Sequence, residues 1–105
     1  MKIIEAIVAW NLLSRLKTSA DLDAQKYVVN ARKALRPVVK EYAEFEKDAR
    51  ETAGGDSNAF VNLITPEQQR TVDAVLPELS DDTLAALMAA NAGTAVVEFD
   101  VLQTL

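Results

Sequence analysis

Between Ala24 and Ala49, eight apolar residues follow one another at intervals of 4, 3, 4, 3, 4, 3 and 4: Ala24, Val28, Ala31, Leu35, Val38, Tyr42, Phe45 and Ala49. An α-helix gathers residues spaced this way onto one side, as a narrow seam suited to contact with another helix. The residues in between are mostly charged. Asp21 or Ser19 can accept hydrogen bonds from the free amides of a first turn, and Gly54 can adopt the left-handed conformation that ends a helix. The spacing therefore predicts one helix over about 21–53. Pro37 falls inside it, where proline removes a backbone hydrogen bond and crowds the preceding turn at a cost of about 3 kcal/mol. Because the seam passes Pro37 unchanged, a kink is expected there rather than a break.

The preceding stretch, Ile3 to Leu16, is helical in composition but apolar on almost every side, with Glu5, Asn11, Ser14 and Arg15 as interruptions. A helix of that kind is covered on more than one face. Lys17 to Ala20 makes a short link, which favours an antiparallel helical hairpin with the long helix. The other cover would come from the C-terminal half or from a second subunit. Fourteen residues with these interruptions fall short of the roughly 20 apolar residues of a membrane span. They also lack the layout of a secretory signal, so the expectation is a cytoplasmic protein with no membrane contact.

Gly54-Gly55-Asp56-Ser57-Asn58 reads as a flexible loop over 54–58. Halves of about 50 residues would sit near the lower limit for a free-standing core, so residues 1–105 are taken as a single domain. After the loop, Phe60 to Ile64 is β-prone and predicts a short strand. Thr65, Pro66 and Gln68 then combine a capping hydroxyl, a first-position proline and a capping-box amide. They predict the start of a helix carrying Val72, Val75, Leu76 and Leu79 inward. Ser80-Asp81-Asp82 can open another short helix, with Leu84, Leu87 and Met88 as its apolar face. Val97, Phe99 and Val101 alternate with Glu98 and Asp100, the period of a half-buried strand over 95–102. Its expected partner is the strand at 60–64, since a lone strand leaves its backbone unpaired. The fold class is thus mainly α: a helical hairpin with one long kinked helix, short helices in the second half and a small two-stranded β element.

The chain has no Cys and no His. Disulfides, thiolate or imidazole metal ligation and Ser-His or Cys-His catalysis are thereby excluded. Glu41, Glu44 and Asp48 share one face of the long helix, but carboxylate metal sites in bundles draw on Glu-x-x-His pairs. They read as a solvated face, and Asp81 with Asp82 as helix-start charges. No catalytic residue, metal site or cofactor is predicted, and the chain does not read as an enzyme.

Charge is segregated. Residues 1–53 carry ten basic and eight acidic side chains, and residues 54–105 carry one and eight. Arg32, Arg36 and Lys40, at i, i+4 and i+8, make a strip about 12 Å long. That strip could contact a phosphate backbone, which gives a second reading as a small nucleic-acid-binding regulator. The net charge of −5, the isoelectric point of about 4.6 and the lack of interleaved aromatics argue against it. The surplus of apolar helix surface points instead to a non-enzymatic interaction protein that pairs with itself or with another protein. Twofold dimers are the commonest outcome of self-pairing. The candidate contact residues are Trp10, Val28, Leu35, Val38, Tyr42 and Phe45, with Trp10 either closing the gap between helices or anchoring an interface.

Several local features occur together: Met1-Lys2-Ile3-Ile4, Asn11-Leu12-Leu13 followed by Leu16, Ala34-Leu35, Glu41-Tyr42, and an acidic second half with Glu67-Gln68-Gln69. In this arrangement the chain resembles a family of small, functionally uncharacterised phage and prophage proteins encoded among structural and tail genes. The resemblance implies a setting, an accessory to phage structure or assembly, and carries over no site residues.

Overall fold

A computed structural model describes residues 1–103. It is mainly helical: α1 is Ile3–Arg15, α2 Leu22–Ala53, α3 Ser57–Gln68 and α4 Asp81–Ala90, followed by a 3₁₀ helix at Val96–Gln103. At about 1.5 Å per residue the 32 residues of α2 make a rod of about 48 Å. The molecule measures 46 × 28 × 19 Å, so α2 runs its full length.

The long helix starts where Asp21 accepts the Ala24 amide at 2.8 Å. It ends at Gly54, which is left-handed with φ 59° and donates its amide to Arg50 O. It passes Pro37 without interruption. Pro37 and Lys33, whose carbonyl loses its usual amide partner there, are both solvent-exposed. Water can therefore serve the orphaned carbonyl.

The seam is buried at Ala24, Val28, Ala31, Leu35, Tyr42 and Ala49 and half-buried at Val38 and Phe45. Its first half joins Ala6, Ala9, Leu12 and Leu13 of α1, Leu76, Leu87 of α4, and Phe99 and Leu102 of the 3₁₀ helix in one core. Its second half packs against α3. The connection from α1 to α2 is fastened by Asn91, whose side chain accepts the Lys17 amide at 2.8 Å and donates to Lys17 O at 2.7 Å and Leu87 O at 2.8 Å.

The second half departs from expectation in four places. No strand occurs among the described residues, only an isolated antiparallel bridge between Lys2 and Thr71, so the two-stranded element of 60–64 with 95–102 is absent. Phe60 to Ile64 lies inside α3. Asp56 caps that helix by accepting the Asn58 and Ala59 amides at 3.0 and 3.2 Å. The open seam of α2 rewards a helical period, which brings Phe60, Ile64 and Gln68 to one side. The expected loop at 54–58 contracts accordingly to Gly54–Asp56, since Ser57 and Asn58 form the first turn of α3.

Thr65-Pro66-Glu67-Gln68 ends a helix rather than starting one. The Thr65 hydroxyl donates back to Val61 O at 2.8 Å, and Pro66 is tolerated inside the last turns of α3. Residues 73–80 then run without helix, and only Leu76 of the four expected inward residues is buried. Finally, 96–102 is a 3₁₀ helix. Phe99 and Leu102, three residues apart, are buried while Val97 is 70% exposed. At three residues per turn this spacing puts both on one side. The helix at 81–90 forms as expected, with Ser80 Oγ accepting the Thr83 amide.

Candidate interaction surface

The two halves of α2 meet very different surroundings. Over its first half, α1, α4, the 3₁₀ helix and the chain around Leu76 enclose the seam. Val38 and Val39 still pack on that core; beyond them the chief neighbour is α3, and together they form a two-helix arm. A helical pair alone cannot surround its own apolar contact. Accordingly α3 has no buried residue: Phe60 and Ile64 are half-buried, Val61 is 51% exposed and Leu63 39%.

Polar atoms and rings hold the arm together. The Gln68 side chain donates to the Tyr42 hydroxyl at 2.8 Å. The Tyr42 and Phe45 ring centroids lie 6.4 Å apart at 30°, and the Arg50 guanidinium lies 4.6 Å from the centre of the Phe60 ring. Burial raises the pKa of Tyr42, with the hydrogen bond from Gln68 opposing and the charge of Glu46 adding to it. An open groove of about 270 Å³ lies at the arm's tip, between Arg50, Gly55, Asp56, Phe60 and Val61.

The residues singled out in the sequence separate into several environments. Val28, Leu35 and Tyr42 are buried inside the chain and present nothing to a partner; Val38 and Phe45 keep partial exposure. Trp10 is half-buried and carries the Arg32 guanidinium 4.9 Å above its ring. This stacking withdraws Arg32 from the basic strip, and its Nε is buried without a hydrogen-bond partner among the described residues. Arg36 and Lys40 are exposed, and no ion pair among the described residues engages them. A four-residue step advances about 40° around a helix, so the three residues wind from the Trp10 side to the outer face.

Glu41, Glu44 and Asp48 are exposed, and no group of three or more His, Cys, Asp or Glu suited to a metal occurs among the described residues. No helix among them is long and apolar enough to cross a membrane. Tyr27 is buried, and burial pushes its phenol up to about 12, with no hydrogen-bond partner for its oxygen among the described residues. Periodicity alone reveals neither the Asn91 fastening nor the cation–ring contacts at Trp10 and Phe60, because each joins different elements of the fold. The arm, by contrast, is foreshadowed by a seam reaching Ala49. A 13-residue α1 covers only about 20 Å of a 48 Å rod.

No family model matches the chain, and no curated protein or solved structure is significantly similar to it.

Proposed function

We propose that this is a non-enzymatic helical interaction protein whose α2–α3 arm binds another protein surface, a second copy of itself being the first choice. The observation that supports this reading is the state of α3, a 12-residue helix with four large apolar side chains and no buried residue. Fully covering a Val or Leu side chain stabilises by about 1.5–3 kcal/mol. Val61 and Leu63 each leave part of that gain unused. The resemblance to phage and prophage proteins suggests the setting, a cytoplasmic accessory to the assembly of phage structures.

Light-scattering mass across a concentration series tests the reading. Mass should rise with concentration for the native chain and stay monomeric for Val61→Glu/Leu63→Glu, with thermal unfolding little changed because both side chains are already exposed. A native chain that remains monomeric at every concentration overturns self-association.

One observation favours the second reading, a nucleic-acid contact. Lys26, Lys33, Arg36 and Lys40 are exposed with no acidic partner among the described residues. A steep loss of duplex retention between low and moderate salt, weakened further by Arg36→Glu, would support it.

A further inference from the structure

The outer face of α2, opposite the seam, carries charges that the protomer leaves unspent. Lys33, Lys40, Glu44 and Glu51 all point within about 40° of one direction around the helix. All four are exposed, and none takes part in an ion pair among the described residues. Their order is biased: every charge from Lys26 to Lys40 is basic, whereas from Glu41 to Glu51 five acids stand against Lys47 and Arg50. The order is also symmetric about Tyr42. Lys40 and Glu44 stand two residues to either side of it, and Lys33 and Glu51 nine.

We infer that two copies pair antiparallel along the outer faces of α2, about a twofold axis level with Tyr42. This inference rests on the self-association proposed above and adds a second contact to it, on the side of α2 away from α3. In that register Lys33 of each copy faces Glu51 of the other, and Lys40 faces Glu44. Arg36 and Asp48 flank the contact line. A parallel pairing would set base on base and acid on acid, so the charges select the direction. Exposed ion pairs add little affinity each and are screened by salt; their role is orientation and register. Val29, 52% exposed on the outer face, comes level with Gly55 of the other copy and adds a small apolar contact at each end. Two helices touching over about 30 Å cover less than the roughly 1,200 Å² of a stable complex. The pair is therefore weak and rapidly exchanging.

Sedimentation at several concentrations and salt levels tests this with Lys33→Glu, Glu51→Lys and the double variant. Twofold symmetry makes each single substitution turn two attractive contacts repulsive. Each single variant should weaken association about tenfold, the double variant should recover to within about threefold of native, and high salt should weaken the native pair. Circular dichroism should show all three variants folded, since both side chains are exposed and unpaired. Single variants that associate like the native chain, or a double variant that stays as weak as the singles, overturn the antiparallel register while self-association stands. A native chain that is monomeric throughout overturns both. If Lys33→Glu abolishes duplex retention while no variant changes mass, the basic face serves nucleic acid and the pairing is wrong.

Discussion

The same 32-residue helix is enclosed at one end and nearly bare at the other. Over its first half, Ala31 and Leu35 are completely buried, in company with Leu87 and Phe99 from distant parts of the chain. Over its second half, Tyr42 and Ala49 are buried, yet the helix packed on them has no fully buried residue of its own. Neither end differs in seam spacing. The difference lies in how many elements converge on the seam: several at the first half, chiefly one at the second. An amphipathic helix is satisfied by a neighbour on its apolar side, but that neighbour needs neighbours too. The enclosed end supplies them and holds the fold, while the arm offers surface.

The largest effect should come from the enclosed end. Phe99, 1% exposed, closes the core from the 3₁₀ helix. Phe99→Ala should cost about 3–5 kcal/mol, through lost burial and the cavity left behind. Urea unfolding followed by circular dichroism measures it. A loss below about 1 kcal/mol would mean that the C-terminal segment does not seal the core, and the contrast between the two ends would fail.

A smaller effect concerns Tyr27, at the enclosed end, and Tyr42, at the base of the arm. Both phenols are raised by burial, Tyr27 to about 12 against an ordinary value of 10.0. In the unfolded chain Tyr27 gives up its proton near pH 10, whereas the folded protein holds it to about 12. Between those values the unfolded state binds fewer protons, so stability falls as pH rises. Tyr27→Phe should lessen that fall and leave stability at neutral pH unchanged or higher, because it removes a buried hydroxyl that has no partner among the described residues. Tyr42→Phe breaks the bond with Gln68 and should reduce stability at neutral pH instead. Urea midpoints from pH 7 to 11 compare the two.

The first half of this arrangement can be read from residue spacing, and the second cannot, for identifiable reasons. A seam repeated seven times with charged residues between admits one conformation; Gly54 marks its end, and of the two caps offered at its start, Asp21 and Ser19, it is Asp21 that serves. In the second half the signals are short and each has two meanings. Thr-Pro-Glu-Gln opens a helix when an extended chain precedes it, but Thr65 and Pro66 sit in the closing turns of α3 because Asp56 had already started that helix. Alternating Val97, Phe99 and Val101 resemble a strand, yet the pair that finds the core is Phe99 and Leu102. A three-residue spacing is invisible until the core's position is known. Among the site candidates, exposure of Arg36 and Lys40 follows from helix geometry. The capture of Arg32 by Trp10 needs the angle between α1 and α2, which no local pattern carries.

The smallest effect should come from the arm itself. Ile64 of α3 is half-buried, faces α2 with Phe60, and lacks the second layer of side chains that surrounds Leu13 or Leu87. A truncated side chain at the edge of a two-helix contact leaves a space open to water, so the cavity part of the cost disappears and only part of the transfer part remains. Ile64→Ala should therefore cost about 1 kcal/mol, against about 2–5 kcal/mol for Leu87→Ala. Amide hydrogen exchange sharpens the point, since an element with few buried contacts opens without global unfolding. Amides of α3 should exchange faster than those of α1 and the first half of α2 in dilute protein. Equal protection in α3 and α1 in a dilute monomer would show that the arm is as firmly held as the core, and the case for it as an interaction surface would lose its physical basis.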